Sequence, residues 1–276
     1  MAEPLVLSRR RVVQAAVVGT GLVLAPGALT ACKSGTGTAP PAAQPEAPFQ
    51  RVVVVDGAFN VRDLGSYPAD GGRRVATGRV YRGGSLHRIT DQGLGQLAAL
   101  KLTQVIDFRG TAEAGGRLDR LPPGVSALSA PVGGAAPRGA GAVGPPPGGL
   151  TAPDPATEAE FRGYVTASEA RQSFGTALRH VASSGRVTLW HCNSGTYRTG
   201  WASAVLLTAL GVPRAQVYED FLLSNAAFGA TYAFAEYLDA GFGAVTALFG
   251  SFDEYLNRGL GIGPDIQAAI RRELLA

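Results

Sequence analysis

The stretch RVTLWHCNSGTYRTGWASAVLLTALGVP, residues 186–213, constrains the chain more than any other. Its first six residues are rich in branched and aromatic side chains, the composition of a short strand. Residues 198–213 are apolar and close on Gly211 and Pro213, the stop signals of a buried helix. Between them lies a tight loop, Cys192–Tyr197, with Gly195 inside it. A strand that turns directly into a helix belongs in a mainly parallel sheet covered by helices. Such a turn also gathers successive backbone N–H groups in front of a helix N-terminus, a place suited to an anion.

The rest of the chain follows the same alternation. RVVVV (51–55) and LTQVIDF (102–108) read as further strands. Thr90 to Leu100 reads as a helix, with Thr90 as N-cap, Asp91 in the first turn, and Leu94, Leu97, Ala98 and Leu100 on one side. Glu158 to Ser183 has a helical pattern with a break in the middle, and its core contacts are Phe161, Val165, Phe174, Leu178 and Val181. A last helix opens at Pro264 and carries Ile266, Ile270 and Leu274. The expected fold class is α/β, a central mostly parallel sheet with helices on both faces. Residues 131–157 break the pattern. Gly and Pro dominate there, and a stretch of this length without periodicity is expected to be a lid, a binding loop or disorder.

The N-terminus reads as an address. SRRRVV (8–13) sets paired arginines before an uncharged run to Ala31, and LTAC (29–32) closes it. The pattern is that of a twin-arginine export signal over 1–31 ending in a lipobox, with Cys32 as the acylated residue. Gly19, Gly21, Pro26 and Gly27 interrupt the run and argue against a transmembrane anchor. Residues 32–50 read as a flexible tether and 51–276 as the folded domain, so the expected location is the outer side of the cell membrane, held by lipid. Arg9, Arg10 and Arg11 against Glu3 place half of the formal +4 charge in the first 31 residues. No basic stripe with interleaved aromatics remains, so nucleic acid is not an expected partner.

With Cys32 lipidated, Cys192 is the one thiol left, and no intramolecular disulfide can form. A lone cysteine is either a buried apolar filler or a reactive group. The loop favours the second. The N–H groups of Asn193, Ser194, Gly195, Thr196 and Tyr197 can line a phosphate cradle, Gly195 permits close approach, and the fork of Arg198 can clamp two phosphate oxygens. An electropositive turn of this kind favours thiolate over thiol, and a thiolate beneath a phosphoryl group is a nucleophile aimed at phosphorus.

Cys followed six places on by Arg is a weak signal alone. HCNSGTYRTG (191–200) together with FNVRDLGSY (59–67), GRVYRGGSLHRIT (78–90), VIDFRGTAE (105–113) and DFLLSN (220–225) is not. These segments resemble the bacterial tyrosine-specific and dual lipid/protein phosphatases, from about Arg51 to the C-terminus. The resemblance implies the cysteine-dependent phosphatase fold and hydrolysis of phosphomonoesters through a cysteinyl-phosphate. It implies Cys192 as nucleophile, Arg198 as phosphate clamp, a hydrogen bond from Thr199 to the cysteine sulfur, and His191 as a support of the loop. The expected substrate is a phosphotyrosyl protein or a small aryl phosphate. No Cys/His cluster or paired acidic motif suggests a metal, and no cofactor is expected.

The departure lies at Thr196 and Tyr197, where members with dual activity commonly carry Lys and Asp. That Asp is a candidate acid, and here it is missing. Asp107, at the carboxyl end of a strand, is the first replacement, with an ion pair to Arg109 as its competing role. Asp154 in APDP is the second. Tyr197 is expected to form a pocket wall or a stacking surface. Arg62 and Asp63 are read as an ion pair under the pocket, His87 and Arg88 as turn residues, and His180 as without a role. The alternative class is an impaired enzyme that binds phosphate or phosphopeptide without turnover. Arsenate reduction fits poorly, because it needs further cysteines.

The lipobox is directly testable. Mass spectrometry of the mature N-terminus should find a diacylated Cys32, and Cys32→Ala should release the protein from the membrane fraction. An unmodified peptide that begins upstream of Cys32 would contradict the lipid anchor.

Overall fold

The runs LTQVIDF and RVTLWH lie side by side as strands in a computed structural model that describes residues 51–133 and 148–276. The signal segment, Cys32, the tether and the centre of the Gly/Pro-rich stretch lie outside the described residues. The strands are β1 (Arg62–Asp63), β2 (Val80–Gly83), β3 (Gln104–Asp107), β4 (Ser126–Ser129) and β5 (Thr188–His191). They form a sheet in the order β1-β2-β5-β3-β4, parallel throughout except for the antiparallel β1–β2 pair at one edge. Registration sets Gly83 and Asp107 on either side of His191. The Cys192 loop therefore leaves the sheet from the middle of its carboxyl edge, where open α/β sheets place their sites.

Strand alternation divides the apolar residues between two cores. Tyr81, Val105 and Leu189 face one side and pack with Val55, Val61, Leu86, Ile89 and Leu97. Val80, Ile106 and Trp190 face the other and join the larger core. Leu97 comes from α1 (Asp91–Ala99), whose N-cap Thr90 accepts a hydrogen bond from Gly93 N. A short α2 (Thr111–Ala114) follows β3. The larger core is built by α3 (Pro155–Thr166), α4 (Ser168–Val181), α5 (Arg198–Ala209), α6 (Arg214–Phe228), α7 (Ala235–Phe249) and α9 (Pro264–Leu274), with a short α8 (Phe252–Glu254) before the last. No helix among the described residues is long and apolar enough to cross a membrane.

The sequence pattern and the structure part in four places. RVVVV is extended but makes only one bridge, Val52 with Arg62, so Val52 and Val54 stay exposed while Val55 is buried. It lies beyond the sheet edge, where a two-residue β1 offers little to pair with. Strand β2 escapes an apolar-run search because Arg82, fully buried, interrupts it. Strand β4 escapes it because Ser126 and Ser129 do. The helical stretch 158–183 breaks in its middle as expected, at the extended Ala167, but its first half starts earlier, at Pro155 behind the N-cap Asp154.

Arg62 and Asp63 do not pair with each other, contrary to the sequence reading. Neighbours on a strand point to opposite faces. Asp63 accepts from Gly65 N and Gly78 N, both at 2.7 Å. Burial raises its pKa, and these two backbone bonds offset only part of that rise. Arg62 reaches across to Asp220 of α6, with Nε 3.0 Å from Oδ1 and Nη2 2.7 Å from the backbone oxygen. Arg82 meets the other carboxylate oxygen of Asp220 at 2.5 Å. Burial pulls the Arg82 pKa down to about 10, with Arg62 adding to the effect and Asp220 opposing it. The Asp220 carboxyl is held below its usual value: burial acts to raise it, and the two guanidiniums outweigh that.

Removal of Asp220 strands two buried cations, and breaking a buried pair typically costs about 3–5 kcal/mol. Asp220→Ala should therefore lower stability by that order in denaturant titrations. A loss below about 1 kcal/mol would show that the two arginines find other partners.

Candidate active site

The loop Cys192–Tyr197 is fastened from beneath by its carbonyl groups. Ser85 N donates to Asn193 O at 2.9 Å, Asn60 Nδ2 to Ser194 O at 3.2 Å, and Arg82 Nη2 to Gly195 O at 2.7 Å. A trans peptide points its N–H opposite to its C=O. Three carbonyls tied in this way leave the N–H groups of Ser194 and Gly195 directed away from those anchors, while the Thr196 N–H donates to Ser194 Oγ at 3.3 Å. Gly195 is required for this path. Its φ is +74°, and a Cβ there would lie 2.4 Å from the backbone of Gly83. Cys192 itself is 2% exposed and is a free thiol at the floor of the loop.

Arg198 opens α5 and is nearly buried. Nη1 and Nη2 donate to the two oxygens of Glu113, at 2.6 and 2.7 Å, and Nη1 also reaches Phe108 O at 3.1 Å. These bonds use three of the five N–H donors of a guanidinium, which leaves two. Burial works against the Arg198 charge, but Glu113 and then Cys192 more than compensate, so its pKa is raised. The Glu113 pKa is lowered, because the bonds and charge of Arg198 outweigh its own burial. Glu113 is thus a carboxylate that orients Arg198. VIDFRGTAE carried it in plain view, yet nothing in the spacing links position 113 to position 198.

Asp107 does not fit the proton-donor role expected of it. Its carboxylate accepts from Arg109 Nε at 3.0 and 2.9 Å, from Nη2 at 2.8 Å and from the Arg109 backbone at 2.8 Å. Strand-end geometry brings i and i+2 together here, so the competing ion pair prevails. Arg109 also binds Asp119 at 2.8 Å. His191 stands between these acids, with Nε2 3.0 Å from Asp119 Oδ2 and Nδ1 3.0 Å from the Cys192 backbone oxygen. Burial lowers the His191 pKa, but Asp119 and Asp107 reverse this and leave it raised. Asp119 is lowered in turn, because His191 and Arg109 outweigh its burial. Asp107, Asp119 and His191 form the one trio of close metal-type ligands among the described residues, and Arg109 already occupies it with positive charge.

The remaining candidates fall into place around this centre. Asp154 caps α3, and its Oδ2 accepts from Thr157 N at 3.1 Å and Thr157 Oγ1 at 2.8 Å. Thr199 Oγ1 is buried and has no hydrogen-bond partner among the described residues, so the expected bond to the cysteine sulfur is not made. Tyr197 is packed into protein rather than standing open as a stacking surface. Its ring meets Phe161 and Tyr237 edge-on at 6.0 and 5.8 Å, and its hydroxyl donates to Tyr232 O at 3.2 Å. Ser85 Oγ lies 3.0 Å from His87 Nδ1, consistent with a turn role, while Arg88 is exposed. His180 meets Gln104, away from the loop.

What the centre can do follows from these contacts. A buried thiol stands at the start of a loop whose carbonyl groups are tied to neighbouring segments, beside an arginine with spare donors. Such a site can hold a tetrahedral anion against sulfur.

Comparison with known proteins agrees. Residues 53–276 match the model of the tyrosine phosphatase family. A provisionally named tyrosine-protein phosphatase of Cupriavidus necator is 32% identical over 230 residues, covering 74% of this chain and 82% of its own. The triple specificity protein phosphatase PtpB of Mycobacterium tuberculosis is 29% identical over 191 residues, covering 61% and 67%. The chain belongs to the tyrosine phosphatase family and is a protein tyrosine phosphatase acting on phosphorylated substrates.

Proposed function

We propose that the protein hydrolyses phosphomonoesters through a cysteinyl-phosphate intermediate, with aryl phosphates favoured. The observation that carries this reading is the loop tied down through the carbonyls of Asn193, Ser194 and Gly195. On this reading the N–H groups of Ser194 and Gly195, opposite those anchored carbonyls, would face a phosphoryl group at Cys192. Arg198, oriented by Glu113, supplies the two donors that clamp equatorial oxygens.

In the first step the Cys192 thiolate attacks phosphorus, the S–P bond forms, and the P–O bond to the leaving group breaks. Water then attacks phosphorus, the S–P bond breaks, and inorganic phosphate leaves with the thiolate restored. His191, pinned by Asp119, holds the Cys192 carbonyl and so the start of the loop. Aryl preference follows from leaving-group chemistry. A phenol has a pKa near ~10, and an alkyl alcohol is several units weaker as an acid, so it leans harder on a proton donor. Position 197, a tyrosine packed among aromatic rings, supplies no such donor. Cys32 lipidation would hold this chemistry at the outer face of the membrane, in reach of exported phosphotyrosyl proteins or small aryl phosphates.

Purified residues 51–276 should hydrolyse phenyl phosphate without added metal, with competitive inhibition by vanadate. Cys192→Ser should abolish turnover and keep vanadate binding. Retained turnover in Cys192→Ser would remove the cysteinyl-phosphate mechanism. Vanadate binding with no turnover in the unaltered protein would instead favour a phosphate-binding role.

A further inference from the structure

The reaction above lacks a proton donor, and the carboxylates nearest the loop are engaged elsewhere. Asp107 and Asp119 are paired with Arg109, and Glu113 with Arg198. Asp154 caps α3. Glu160 differs from all of these. It lies on α3, half-buried, and its hydrogen-bond partner is the hydroxyl of Tyr164 one turn later rather than a cation. Tyr164 is fully buried and within electrostatic reach of Cys192 and Arg198. Glu160 itself lies within electrostatic reach of Arg198, Glu113, Asp154 and Tyr197. The next residue, Phe161, sets its ring against that of Tyr197. Helix α3 therefore packs on the loop position left without an acid, and it brings a carboxyl there.

We propose that Glu160 is the general acid of this site, donating its proton to the leaving-group oxygen. The proposal rests on the cysteinyl-phosphate reading above. As the S–P bond forms and the P–O bond breaks, the departing oxygen takes the Glu160 proton. In the second step the Glu160 carboxylate accepts a proton from the water that attacks phosphorus, and the S–P bond breaks to restore the thiolate. Each turnover thus returns Glu160 to its starting form. The environment supports the role. Burial raises the Glu160 pKa, Glu113 and Asp154 add to the rise, and the bond from Tyr164 and the charge of Arg198 oppose it without cancelling it. A raised value keeps the proton in place at higher pH, as a donor requires. Tyr164 is no substitute, because burial and the Glu160 charge push its own pKa well above the usual value.

The test compares kcat on phenyl phosphate and on 2,4-dinitrophenyl phosphate, whose phenol needs no proton to leave, in the unaltered protein, Glu160→Gln, Tyr164→Phe and Cys192→Ser. Glu160→Gln should lose about 10²-fold or more on phenyl phosphate, the size of a general-acid effect, and retain most activity on the dinitrophenyl ester. The rate of the unaltered protein should fall as pH rises through the Glu160 value, and this limb should vanish in Glu160→Gln. Tyr164→Phe removes the bond that favours the charged carboxyl, so the same limb should move to higher pH. Vanadate affinity near that of the unaltered protein shows that each variant keeps its site. An equal loss on both esters, or an unmoved basic limb in both variants, would overturn the assignment of Glu160 and leave the cysteine chemistry intact. Full activity of Cys192→Ser on the dinitrophenyl ester would overturn the underlying mechanism instead.

Discussion

Asp220 holds the site together from a distance. Its carboxylate joins Arg62 of β1 to Arg82 of β2, and Arg82 passes the connection on to the carbonyl of Gly195. A charge this deeply buried is tolerable only with its partners in place. The network therefore couples the edge of the sheet, helix α6 and the loop into one unit. Asn60 extends it, donating to Ser194 O and Ser224 Oγ. The loop's shape is set by what lies under it more than by its own residues.

A second network governs the other flank. Arg109 lies between Asp107 and Asp119, and Asp119 reaches on to His191, so the buried polar groups of this flank meet one another. It meets the loop through the bond between His191 and the Cys192 carbonyl. Glu113 then does for Arg198 what Asp119 does for His191. Both supporting acids come from the segment after β3, so a single connection supports His191 and Arg198 together. Acids that serve cations in this way stay ionised. Proton donation has to come from a carboxyl without such a partner, and α3 supplies one.

Aromatic packing joins this chemistry to the rest of the fold. Phe161 touches Tyr164, Tyr197, Trp201, Phe221 and Tyr237, so α3, the loop, α5, α6 and α7 share one contact centre. Tyr197 is part of that centre. Its ring fills space between α3 and α7.

The sequence by itself determined the α/β class, the strand–loop–helix around Cys192, the Thr90 cap and the break between α3 and α4. All of these depend on neighbours within a few residues, through periodicity, capping and turn chemistry. It did not determine which charges meet. Arg62 pairs with a residue 158 positions away rather than with its neighbour, and Glu113 finds Arg198 across 85 positions. For Asp107 the sequence left proton donor and ion pair with Arg109 both open, and the Arg109 side chain turned back onto it gives the pair. Glu160 carries no mark in the helical pattern, since periodicity shows the buried face but says nothing of what packs beside it. Ion pairing and desolvation act through space, and only the tertiary structure decides which groups share that space.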